Sequence, residues 1–124
     1  MGRLSFRCVI DNRTGALLKL QEDELFWGRW ENRRYPLLAL AAGAETLALA
    51  GVALSPATGS TSGYVVYRID DDLQARIRIR WDVCWDGSNA LQVEPAEVGI
   101  RVEVTGWTGS AAEESVVLTV HDDR

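Results

Sequence analysis

Residues 76–81 read Arg-Ile-Arg-Ile-Arg-Trp, and no other run in the chain restricts the fold as tightly. In a strand successive side chains point to opposite faces, whereas a helix repeats every 3.6 residues. Only an extended strand sorts this run into Arg76, Arg78 and Arg80 on one face and Ile77, Ile79 and Trp81 on the other. The run predicts a sheet strand with an apolar face against a core and a cationic face toward solvent. It passes into Trp85, Asp86, Gly87, Ser88 and Asn89, the composition of an ordered loop. Trp81 is the expected core tryptophan, and Trp85 sits at the strand-to-loop junction.

The same period recurs along the chain. Leu4, Phe6, Cys8 and Ile10 alternate with Ser5, Arg7 and Val9, a half-buried strand. Residues 11–15, DNRTG, are turn formers and 16–21 a second strand, so the opening reads as a hairpin. Residues 22–24 are an acidic break, and 25–30 start another extended segment. Residues 37–55 admit a helix on their Ala and Leu content, but the Ala42-Gly43-Ala44 turn favours two short strands. The second of these places Leu47, Leu49, Gly51 and Ala53 on one face. Residues 55–63 form a small-residue loop, 64–69 a strand, and 70–72 an acidic hairpin turn. Strands at 90–93, 98–105 and 115–121 complete the chain, separated by a turn around Pro95 and the 106–114 loop. Eight or nine short strands between Gly, Pro, Asp and Ser turns predict an all-β protein, an antiparallel β-sandwich or barrel.

At 124 residues the chain suits one domain, 1–124, that buries its own core without disulfides or metal. The net charge of −5 disfavours nucleic acid and long-range attraction to anionic lipid. Membrane affinity would have to be local and headgroup-specific. Two cysteines, Cys8 and Cys84, are too few for a disulfide framework or a zinc site. A single bridge between them stays open. Cys8 falls on the apolar face of its strand. Arg7 and Asp11 interrupt any signal-peptide core, and no run reaches a membrane span. The expectation is a protein made soluble without a signal peptide, cytoplasmic or non-classically released, and peripheral at target membranes.

The 26–36 segment, FWGRWENRRYP, holds four aromatics and three arginines in eleven residues. Aromatics beside arginine suit a polar headgroup or a sugar, through stacking, cation–π contact and bidentate hydrogen bonds. A connecting loop whose aromatics cap the core fits equally well. Catalytic constellations are missing from the local sequence. His121 is the single histidine, and Cys84 between two tryptophans is placed for a raised thiol pKa. Asp70, Asp71 and Asp72 lack calcium-loop spacing. The residues point to a binder, not an enzyme, with no cofactor and no metal.

WDVCWDGSN at 81–89 resembles the W-D-C-x-W-G-S-x-N signature of the aegerolysins, with the Cys displaced by one position and Asp86 inserted. FWGRW at 26–30 is similar to that family's Trp-Gly-Lys/Arg element. TGSTSGYVVYRI at 58–69 is similar to its Gly/Thr-rich loop and following strand, although 59–63 lacks the carboxylate often found there. The resemblance implies an actinoporin-like β-sandwich that binds membrane lipids, sphingolipid or phosphoethanolamine headgroups with or without sterol. It also implies a targeting role in a two-component pore-forming cytolysin or insecticidal toxin, beside a perforin-like partner. On that footing Trp27, Trp30, Tyr35 and Trp85 are expected as interfacial anchors, and Arg29, Arg33 and Arg80 as phosphate partners. The alternative on the same scaffold is a carbohydrate-binding lectin that uses these aromatics as stacking platforms.

Overall fold

The computed structural model describes residues 3–54 and 59–124. Its strands are β1 (Ser5–Arg13), β2 (Leu18–Trp27), β3 (Arg29–Trp30), β4 (Ala39–Leu40), β5 (Glu45–Val52), β6 (Ser60–Ile69), β7 (Arg76–Cys84), β8 (Ala90–Pro95), β9 (Ile100–Thr105) and β10 (Glu113–Asp122). They form two five-stranded sheets, β3-β5-β1-β10-β9 and β4-β2-β6-β7-β8. The protein is a β-sandwich. All strand pairs are antiparallel except β1 and β10, which run parallel from Ser5 opposite Glu113 to Arg13 opposite His121.

β7 carries out its alternation in full. Ile77, Ile79, Trp81 and Val83 are buried, while Arg76, Arg78, Arg80 and Asp82 face outward. Trp81, with no exposed surface, stacks on Phe6 at a 5.1 Å centroid separation and an 11° interplanar angle. Its indole N–H donates to Thr61 Oγ1 at 3.2 Å, which satisfies the one polar atom the ring carries into the core. Opposite Trp81, Gly63 leaves the room the ring occupies: a Cβ there would lie 2.4 Å from the Glu24 carbonyl and 3.1 Å from the indole. Phe6, Cys8 and Ile10 from β1 and Val116, Leu118 and Val120 from β10 supply the facing side of the same core.

Several expectations change. The opening is not a hairpin: β1 pairs with β5 and β10 while β2 pairs with β4 and β6 in the other sheet. The buried Asn12 side chain ties that crossover, donating to the Ala16 and Leu40 carbonyls at 2.8 and 3.0 Å. The acidic 22–24 segment does not break β2, because the outer face of the sheet is solvated and register shifts flank it at Leu20/Glu22 and Leu25/Trp27. Residues 37–54 form strands β4 and β5, not a helix, and Gly43 makes the expected turn with a φ of 73°. Leu47 and Leu49 nevertheless part company. A bulge opposite Cys8 and Val9 inserts Ala48, which leaves Leu49 buried and Leu47 exposed. β6 begins at Ser60, so 60–63 is strand, and residues 55–58 of the expected loop lie outside the described residues. Cys8 and Cys84 are free thiols.

Candidate functional site

One end of the sandwich collects the sequence elements singled out for binding. β2, β5 and β7 finish there, and β1, β6, β8 and β10 start there. At that end the chain leaves β2 and crosses to the other sheet through Gly28, at a φ of +91°. A Cβ on Gly28 would meet the Val52 carbonyl oxygen at 2.4 Å, so the crossover is open to glycine alone. This reversal decides the roles of its neighbours. Trp27, before it, is 67% exposed. Trp30, after it, is 9% exposed and packs against Trp81 at 5.9 Å. Trp30 is therefore a core residue and not the expected interfacial anchor, although its edge still lines a groove.

Trp85 is 59% exposed and stands on a loop that is fastened throughout. Its N–H donates to the Gly59 carbonyl at 3.2 Å, Gly87 N–H donates to Cys84 O at 3.0 Å, and Ser88 N–H donates to Asp86 Oδ1 at 3.0 Å. Asn89 bridges further. Its Oδ1 accepts from Cys84 N–H at 2.9 Å, and its Nδ2 donates to Ala111 O and Glu114 Oε2 at 2.8 Å each. Glu114 is 1% exposed and also accepts from Thr108 N–H, Thr108 Oγ1 and Gly109 N–H at 2.9–3.0 Å. Burial pushes the Glu114 carboxyl up, but the hydrogen bonds from Asn89, Thr108 and Gly109 outweigh it and hold the group below the ordinary glutamate range. One carboxylate thus locks the 85–89 and 106–112 loops onto β10. Nothing in the local sequence around Glu114 announces this.

Two grooves open beside the crossover. The first, about 650 Å³, is lined by Leu25, Arg29, Trp30, Asn32, Arg33 and Tyr35. Tyr35 is 75% exposed. Asn32 and Arg33 hold φ of +53° and +57°, a left-handed conformation uncommon for residues other than glycine. The buried Glu31 anchors their turn through ion pairs to Arg3 and Arg7, the second at 3.6 Å. The second groove, about 600 Å³, is lined by Phe26, Trp27, Ser60, Ser62, Arg80, Asp82 and Cys84. There Arg80 lies over the Phe26 ring at 5.7 Å, and one row on, Arg78 lies over Tyr64 at 4.8 Å. Burial pushes the Asp82 carboxyl up, Arg80 draws it part of the way back, and Asp86 adds to the rise. Burial, with Asp82 and Asp86 nearby, also raises the Cys84 thiol, and burial alone carries Cys8 up to about 12.

The expected residues are thus divided. Arg29, Trp30, Arg33 and Tyr35 meet in one groove, Trp27 and Arg80 in the other. Trp85 stands beyond the second, since Cys84 is opposite Ser60 in the β6–β7 ladder. Asp82 escaped the sequence reading, although its spacing of two from Arg80 places it on the same face. Leu54, 71% exposed at the same end, gave no signal beyond following an apolar strand. Among the described residues no group of histidine, cysteine and carboxylate side chains is placed to hold a metal. No described helix is long and apolar enough to cross a membrane.

No protein-family model matches the sequence, and no curated protein does. Solved structures do match in fold. IP-1A from Alcaligenes faecalis superposes with a TM-score of 0.75 at 17% identity, over 98% of this chain and 92% of that one. RahU, solved with a TRIS molecule, gives 0.73 at 16% identity over 97% and 94%. The lipid binding protein Nakanori gives 0.71 at 15% identity over 97% of this chain and 72% of that one. The likeness is one of fold, and it extends along nearly the whole chain.

Proposed function

We propose that this chain is a peripheral membrane-lipid-binding module of the aegerolysin kind, and that the crossover end of the sandwich is its membrane-facing surface. The observation that carries the proposal is the placement of exposed Trp27 and Trp85 at one end of one sheet, with Arg80 beside them. Tryptophan favours the boundary between hydrocarbon and headgroups, because one edge of the ring is apolar and the other donates a hydrogen bond. Leu54 adds apolar surface at that end, and Arg29, Arg33 and Arg80 offer planar donors to phosphate oxygens. The fold shared with a lipid binding protein supports the reading.

The proposal is of a binder and not a catalyst. Burial raises both thiols, with Asp82 and Asp86 adding to the rise at Cys84, and His121 lies at the opposite end of β10 from the grooves. Within that reading the chain acts as the targeting subunit of a two-component pore former. It concentrates a perforin-like partner on sphingolipid or phosphoethanolamine-containing membranes. The cationic outer face of β7 argues against its crossing a bilayer as a strand, since each buried arginine costs about 2–4 kcal/mol at the midplane.

Co-sedimentation with vesicles of defined composition, beside dye release from the same vesicles and a glycan array, tests the proposal. Binding without leakage is the expected result, and Trp27→Ala and Trp85→Ala should each weaken it. Glycan binding without vesicle binding would replace the proposal with the lectin.

A further inference from the structure

The two grooves differ in charge, and the difference selects the kind of phosphate each can take. Asp82 lines the second groove together with Arg80, so both signs are present there. The first groove holds Arg29 and Arg33 and no carboxylate. The acids nearest in sequence are engaged elsewhere. Glu31 is buried against Arg3 and Arg7, Glu22 and Glu24 act on Tyr64 on the outer face of β2 and β6, and the exposed Asp23, on the same strand face as Leu25, is not part of the groove lining. Among the described residues neither Arg29 nor Arg33 makes an ion pair. Arg34, Arg76, Arg78 and Arg80 make none either, so what sets Arg29 and Arg33 apart is that the two share one groove whose lining holds no carboxylate. The turn that presents Arg33 has left-handed backbone and adjoins the buried Glu31, which is paired with Arg3 and Arg7.

Resting on the lipid-binding reading, we infer that the Arg29–Arg33 groove is a subsite for an amine-free, net-anionic phosphate headgroup. Two guanidinium groups can each give paired hydrogen bonds to phosphate oxygens. The ammonium of a zwitterionic headgroup would find no carboxylate in the groove and would be repelled by both cations. Asn32 and Tyr35 supply neutral polar contacts to the rest of the headgroup, and Leu25 and Trp30 form the apolar wall. The net charge of −5 makes bulk attraction to an anionic surface unfavourable. A preference for anionic lipid therefore has to come from local arginines, and this groove joins two of them with no carboxylate in its lining.

The test compares co-sedimentation with phosphatidylcholine vesicles carrying either phosphatidylglycerol or phosphatidylethanolamine. It uses wild type, the Arg29→Gln/Arg33→Gln double variant, and Arg76→Gln as a control on an exposed arginine outside the groove. Phosphatidylglycerol vesicles should be bound more tightly. The double variant should lose about tenfold or more in apparent Kd for them, the loss expected from charge-assisted hydrogen bonds. Its Tm should be unchanged, its phosphatidylethanolamine binding should fall by much less than its phosphatidylglycerol binding, and Arg76→Gln should behave as wild type. Equal binding of the two vesicles, or an equal loss in Arg76→Gln, overturns the inference while leaving the membrane reading in place. A soluble arm separates the source of the phosphate. Glycerol 3-phosphate bound by wild type and not by the double variant, with no vesicle bound at all, supports the groove's chemistry and sinks the membrane reading. No binding in either arm overturns both.

Discussion

Trp27 and Trp30 have their roles decided by which side of the Gly28 reversal each occupies, and Trp81 by its place in the alternation of β7. Trp81 and Trp30 lie in the aromatic core with Phe6, and Trp107 meets Phe6 edge-on at 6.2 Å. Trp27 and Trp85 stand out from it. Trp81→Ala should cost about 3–5 kcal/mol, the range for emptying a buried aromatic site, and also strand the Thr61 hydroxyl. Trp30→Ala belongs with it as a stability mutation. Thermal melts check both, and a near-wild-type Tm for Trp81→Ala would show that the strand register is wrong. Trp27→Ala and Trp85→Ala should shift Tm by much less and act on vesicle binding. At Gly63 an added methyl has only backbone and Trp81 to meet, so Gly63→Ala should destabilise by about 1–3 kcal/mol.

At the scale of elements, loops and strands are coupled through single buried groups. Glu114 gathers donors from the 85–89 and 106–112 loops, so the exposed Trp85 is held by a carboxylate in another sheet. Glu114→Ala leaves those donors without a partner and should cost about 2–3 kcal/mol. Because the folded carboxyl is held below its ordinary value, its contribution is fully present above the unfolded pKa. It is lost as pH falls through the lower folded pKa. Melts over an acid series should show wild type losing more stability than Glu114→Gln, which has little left to lose. A parallel decline in the two proteins would mean that other carboxylates carry the acid sensitivity. β7 teaches the complementary lesson. Its face assignment follows from alternation alone, and Arg80 and Arg78 are then taken up locally by Phe26 and Tyr64.

For the whole molecule, all strand pairs but one are antiparallel, and that one, β1 with β10, ties the first strand to the last. Far-UV circular dichroism should report mainly β-structure. Membrane binding should vary little with salt except for what the exposed arginines contribute, because the net charge of −5 supplies no bulk attraction. Binding measured across an ionic-strength series checks this. A steep loss between low and physiological salt would indicate a diffuse electrostatic surface in place of two local grooves.

The sequence by itself determined the class of fold and the inner face of most strands. Alternation is a local property: Ile77, Ile79 and Trp81 are in, and Arg76, Arg78 and Arg80 are out, whatever the strand pairs with. It also marked 26–36 and 76–89 as the places where exposed aromatics and arginines gather. Only the tertiary structure decided what pairs with what. The opening reads as a hairpin because turn residues follow strand residues, yet the Asn12 side chain carries the chain across to the other sheet. Trp30 reads like Trp27 because both adjoin the same Gly-Arg pair, yet the close approach of Gly28 to Val52 turns one ring inward and the other out. Leu47 and Leu49 read as one face, yet a single bulge separates them. In each case the deciding contact lies far along the chain, in a partner strand that no local window contains. The division of the expected site into one groove with a carboxylate and one without has the same origin, since only the folded sheet places Asp82 beside Trp27 and keeps it away from Arg29.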